Sequence, residues 1–136
     1  MTRQIFINLH VKDLGKAKNF YTMLGFSINE QFSDETAACV VISDTIYAML
    51  LTHDKFKQYT PKEISDATKT TEVLNALSLA NKDQVNNMVD AAIAAGGSEA
   101  RPTEDHGFMF SRAFNDLDGH IWEIFYMDMS AIPENE

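Results

Sequence analysis

Ile5, Ile7, Leu9 and Val11 alternate with Phe6, Asn8 and His10, a period of two that predicts a strand with one face in apolar packing and the other in more mixed surroundings. The period then lengthens. Leu14, Ala17, Phe20, Tyr21 and Leu24 fall at helical spacing, Asp13 stands at the capping position, and Gly25 supplies a C-terminal stop. Three strand-like runs follow, Phe26 to Phe32, Ala37 to Ile42 and Ile46 to Thr52, broken by the turn-rich pieces Ser33-Asp34-Glu35 and Ser43-Asp44. The helix is expected to cover one face of the resulting sheet.

The same order returns. Val73 to Leu79 reads as a strand, and Asn81 with Gln84 three residues on reads as a capped helix start. Val85, Met88, Val89, Ala92 and Ile93 supply the apolar stripe, and Gly96-Gly97 ends the helix. Strands are expected at Ser98 to Pro102, Phe108 to Phe114 and His120 to Met127, with the turn Asp116-Leu117-Asp118-Gly119 before the last. Placing Val11 opposite Leu79 aligns Asp13 with Asn81 and Leu14 with Lys82, so the strand-to-helix junctions coincide although the halves share little identity. The expected class is α+β: two β-α-β-β-β modules, 4–53 and 72–128, in a single domain over 1–136. A polar connector, 54–71, carries Pro61 and short helical turns, and a tail, 129–136, frays from Ser130. With a helix outside each sheet, the inner faces would curve into a shared eight-stranded cleft, the natural place for a small ligand.

Composition narrows the partners. The 136 residues are 45% hydrophobic, with nine Phe and one Trp, enough for a substantial core. Eleven basic against twenty acidic residues give a charge of -9, which opposes nucleic-acid phosphates and anionic membrane surfaces. Cys39 is alone, so no intramolecular disulfide forms, and its flanks read as a buried strand. The start lacks the apolar run of a signal peptide, and no stretch approaches the roughly 20 apolar residues of a membrane span. A cytoplasmic location is expected. No phosphate-cradling Gly loop, paired-Cys metal site or nucleophile elbow is present.

Val11-Lys12-Asp13-Leu14, Phe20-Tyr21 and Leu24-Gly25-Phe26 near the start, and the run Asp116 to Glu123 near the end, resemble the opening and closing motifs of the glyoxalase/bleomycin-resistance/extradiol-dioxygenase (vicinal oxygen chelate) superfamily. The resemblance implies a divalent metal held by four side chains, His, Gln or Glu, one from the first and one from the last strand of each half. Such ligands suit Fe(II), Mn(II), Ni(II) or Zn(II). Spacing carried over from the family puts Phe6 and Leu74 at the two first-strand positions and Ala48 or Leu50 at the third. None of these binds a cation, and Glu123 alone matches. One carboxylate does not repay the desolvation of a dication, so no cofactor is expected and a divalent metal is disfavoured.

The resemblance also turns the face of Phe6, Asn8 and His10 into the cleft, where they would meet a ligand together with Leu74. The plainer reading leaves His10 exposed at the strand end and Asn8 satisfied by backbone. Glu123, between Trp122 and Ile124, would act as general acid or base, with His10 beside it, if buried and unpaired; otherwise it is a relic carboxylate bonded to Asn8, His10 or Ser78. His106, Phe108, Phe110 and Arg112 alternate, so Phe108 and Phe110 would form an aromatic wall. Arg112 would grip a carboxylate or phosphate, unless it forms a surface salt bridge. Met23, Met49, Met88, Met109 and Met127 read as core filler, and His53 and His120 as strand-edge residues. The expected function is metal-free binding or sequestration of a small molecule, as in the family's drug-resistance members. The alternatives are a lactoylglutathione-lyase-like or isomerase enzyme using Glu123 as acid or base, with or without a non-standard metal site, and a partner-binding module. A homodimer is implied by the resemblance.

Overall fold

A computed structural model describes residues 2–131. The chain divides into two compact units, with the boundary between Thr70 and Thr71.

The first unit runs β1 (Ile5–Val11), α1 (Leu14–Met23), β2 (Ser27–Asn29), β3 (Ala37–Val41), β4 (Ile46–Thr52) and α2 (His53–Lys57). Its sheet has the order β1-β4-β3-β2, with β1 and β4 parallel and the other pairs antiparallel. Asp13 caps α1 by accepting the Lys16 N–H at 3.0 Å, and Gly25 leaves it at φ 103°, a conformation that suits glycine. α1 packs on β3 and β4. Ala17, Phe20 and Tyr21 from the helix and Ala38, Val40, Ala48 and Leu50 from the strands are all buried.

The second unit runs β5 (Leu74–Ser78), α3 (Lys82–Ala94), β6 (Ser98–Asp105), β7 (Met109–Asn115) and β8 (Ile121–Met127), in the sheet order β5-β8-β7-β6. Asn81 caps α3 by accepting the Gln84 N–H at 2.8 Å, while the Gln84 side chain accepts the Ala80 N–H at 3.0 Å. Val85, Val89 and Ala92 close on Phe114, Trp122 and Ile124. Each sheet is thus mainly apolar on its helix side, with Arg112 the charged exception in the second, and the other side of each sheet is its open face.

Several boundaries differ from expectation. β2 stops at Asn29 because that side chain accepts the Gln31 N–H at 3.0 Å and starts a 3₁₀ turn, Glu30–Phe32. The connector opens with α2, capped by Thr52 accepting the Lys55 N–H at 3.3 Å, and α2 packs on β1 and β4. β6 extends to Asp105 with irregular pairing on both sides of Arg101. In the tail, Met129–Ala131 form a 3₁₀ turn, with Asp128 accepting the Ser130 N–H at 3.1 Å; 132–136 lie outside the described residues. No described helix is long and apolar enough to cross a membrane.

Candidate functional site

Paired residues in a sheet share a face, so the register fixes what each open face presents. In the first unit the pairs Phe6 with Tyr47, Asn8 with Met49, and His10 with Leu51 lie opposite the helix side. Phe6 stacks on Tyr47 with ring centroids 4.7 Å apart and planes 9° from parallel, yet remains 46% exposed. The Tyr47 hydroxyl donates to the Asp44 carbonyl at 2.9 Å, which steadies the stack. Asn8 is exposed. His10 is not, correcting the plainer reading: it is buried with its ring edge-to-face against His53 and Phe56 of α2, each at 5.4 Å. The start of the connector therefore covers the end of this face. Cys39 lies level with Met49, and burial pushes its thiol above the ordinary value of 9.0, so it is not a reactive nucleophile.

In the second unit one row crosses all four strands: Ala76, Glu123, Ala113 and Arg101. Arg101 reaches over the small Ala113 to donate from Nη1 to Glu123 Oε2. From Nη2 it donates to Ser111 Oγ at 3.0 Å, and its Nε lies 3.4 Å from Glu104 Oε1. Glu123 is therefore ion-paired, and its partner is a residue the sequence reading passed over. Leu74 begins β5 on this same open face and is 53% exposed.

The aromatic wall with its arginine is turned the other way. Arg112 is buried and faces α3, donating from Nη1 to Asn86 at 3.0 Å and Asp90 at 2.9 Å and from Nη2 to Glu99 at 3.3 Å. Its guanidinium is not a free anion grip: it forms salt bridges with Asp90 and Glu99, the alternative expected from the sequence, with the arginine buried and the carboxylates exposed. Phe110, two residues earlier, shares that side, with Lys82 Nζ 5.4 Å from its ring centre. Phe108 precedes β7, half-buried, with its carbonyl accepting the Asp128 N–H at 2.7 Å. His106 is exposed and sits 3.1 Å from Glu104.

Residues 3–43 match the sequence profile of the bleomycin resistance protein-like N-terminal family. No curated protein matches the sequence. Among solved structures, a hypothetical protein from S. aureus is 26% identical, with a TM-score of 0.77 over 93% of this chain and 94% of that one. A glyoxalase-related enzyme from Fulvimarina pelagi, 19% identical, has a TM-score of 0.78 over 93% and 88%. The fosfomycin resistance protein FosX from Mesorhizobium loti, 12% identical, has 0.69 over 96% of each chain. This chain has the glyoxalase/bleomycin-resistance/dioxygenase fold. That fold carries enzymes and resistance proteins alike, so activity has to be read from the residues.

The glyoxalase-fold register completes the test for a metal. Phe6 with Tyr47 in one unit occupies the place of Leu74 with Ile121 in the other, which puts Met49 at the position of Glu123. Ala48 and Leu50, the residues expected there from spacing, point to the helix side and are fully buried. The four positions are then Phe6, Met49, Leu74 and Glu123. Three have no oxygen or nitrogen to offer, and the fourth already holds a guanidinium. This donor set does not fit Fe(II), Mn(II), Ni(II) or Zn(II). Among the described residues no three His, Cys, Asp or Glu side chains come together as a metal site.

Proposed function

We propose that this glyoxalase-fold protein binds small organic molecules on the open faces of its sheets without a metal, with Phe6 and Asn8 as contact residues on the first face and Leu74 and Glu123 on the second. One observation carries the reading. Positions at which a chelating relative needs metal ligands hold apolar side chains, and two of these, Phe6 and Leu74, are about half exposed. Exposed aromatic and aliphatic groups beside a few polar ones are what an organic ligand covers profitably. The stacked Phe6–Tyr47 pair presents an aromatic edge held in place by its own hydrogen bonds.

The competing reading, a lyase or isomerase with Glu123 and His10 moving protons, needs a carboxylate free to accept one. Arg101 stands against it. A cytoplasmic homodimer completes the proposal, in keeping with the single thiol and the family resemblance; light scattering on the purified protein reads the dimer directly.

Elemental analysis after chelator-free purification, followed by a thermal-shift screen of small aromatic compounds, tests the function. The expected result is no stoichiometric metal and at least one compound that raises Tm without being converted. Occupancy at 100 times Kd adds about 2.7 kcal/mol of stability, and Phe6→Ala weakens that compound about tenfold. Stoichiometric metal that disappears in Glu123→Ala would overturn the reading.

A further inference from the structure

We propose that the Arg101, Glu123 and Ser111 cluster is a subsite for a neutral, planar head group carrying a hydrogen-bond donor and acceptor side by side, such as a carboxamide, lactam or urea. The inference rests on the small-molecule reading above and adds the class of ligand.

The cluster is built at some cost. Arg101 lies between two register shifts in β6, one from Glu99 and one toward Glu104, and such bulges re-aim side chains near functional sites. Here they turn the guanidinium along the open face, across Ala113, to Glu123. A guanidinium carries five N–H donors. One on Nη1 goes to Glu123, and one on Nη2 goes to Ser111. Nε is buried and, although 3.4 Å from Glu104, makes no hydrogen bond. Glu123 accepts through Oε2, and no described group donates to Oε1. The row thus offers the remaining Nη donors of Arg101, not the buried Nε, beside an unused acceptor, with small side chains, Ala76 and Ala113, flanking the carboxylate.

Charge selects among head groups. Glu104 and Glu123 together outweigh Arg101, so an incoming anion meets a net negative site and has to displace a carboxylate to reach the guanidinium. An incoming cation is drawn by that net charge, but it has to sit beside the guanidinium already paired with Glu123, whose repulsion offsets the attraction. A neutral amide meets neither penalty, accepting from Arg101 through its carbonyl and donating to Glu123 Oε1 through its N–H. Bonds to charged partners are the stronger kind.

Three probes that share one ring decide it: benzamide, benzoate and benzylamine, each titrated into the ¹⁵N-labelled full chain by NMR. Benzamide is expected to shift the amides of Ala113 and Glu123 and the Arg101 Nε–H saturably, about tenfold tighter than either charged probe. Arg101→Met combined with Glu123→Gln should abolish that ranking. Lys16→Ala, at an exposed residue of α1 in the other unit, should retain it. Tighter binding of benzoate or of benzylamine at this row overturns the proposal. Equal shifts from all three probes at Phe6 and Tyr47, with none at Arg101, overturn the subsite while the small-molecule reading survives. No shift anywhere overturns the subsite, and the thermal-shift screen then judges the wider reading alone. The ranking in the unmodified protein does not depend on any variant folding.

Discussion

The middle row of the first unit's open face reads Asn8, Met49, Cys39, Asn29; the same row in the second reads Ala76, Glu123, Ala113, Arg101. The strand order is the same, but one row is apolar at its centre and uncharged throughout, while the other holds an ion pair. On the helix sides the two units stay alike: Val40 and Leu50 under α1, Phe114 and Ile124 under α3, all buried. The helix side is constrained by packing, where each missing methylene is felt. The open side is constrained only by what meets it. A repeated unit can therefore keep one side fixed while the other takes on separate chemistry.

The largest effects should come from the side that is alike. Phe20→Ala and Phe114→Ala each empty a fully buried ring site and should each cost about 3–5 kcal/mol in urea unfolding. A loss below about 1 kcal/mol in one of them would break the equivalence of the two cores.

Exchanging the centres of the two rows comes next. Met49→Glu places a carboxylate at a half-buried position level with Cys39 and Asn8, with no arginine in the row, and should cost about 1–3 kcal/mol. Glu123→Met removes one partner of a partly exposed pair, leaving Arg101 at 30% side-chain exposure with Ser111 and Glu104, and should cost less than about 1 kcal/mol. Equal losses in chemical denaturation would show that Arg101 is not what makes the carboxylate tolerable.

The smallest effect separates the loops between the second and third strands of each unit. Asp34 accepts the Thr36 N–H at 2.7 Å, and Asp105 accepts the Gly107 N–H at 3.0 Å. Those backbone bonds come first among the causes that hold both carboxyls below 3.8; the Thr36 hydroxyl adds to Asp34 and Lys82 to Asp105. Both pKa values are lower in the folded chain, so each carboxylate's contribution is present above pH 3.8 and is lost as the pH falls through the lower folded value. NMR titration of the two carboxyls should show both midpoints below 3.8. Added salt should raise the Asp105 midpoint, where Lys82 contributes both a hydrogen bond and its charge, more than that of Asp34, where the charge of Lys55 is the last of the causes.

Much of this was legible in the chain. The alternation of Ile5 to Val11, the capping residues Asp13 and Asn81 and the stops at Gly25 and Gly96 are local signals, and local backbone chemistry honours them. The set Phe110 and Arg112 does share a strand face, as alternation requires, but alternation does not say which face. That was decided by Asn86 and Asp90 on α3, residues distant in sequence. Arg101 escaped for a related reason. Its aim depends on two bulges, and a bulge interrupts the very period that sequence reading relies on. Asn29 ended a strand early because its side chain competes for a backbone N–H, which hydrophobic pattern does not register.

The irregularity of β6 has a meaning beyond the subsite. β6 is an outer strand of its sheet, and a straight outer strand offers unpaired peptide groups to any passing chain, the first step toward fibrils. Pro102 removes one amide donor, and the bulges on either side of Arg101 bend the strand out of a flat template. The distortion that aims a guanidinium at Glu123 also makes this margin a poor seed for aggregation, so straightening the strand for stability would sacrifice both.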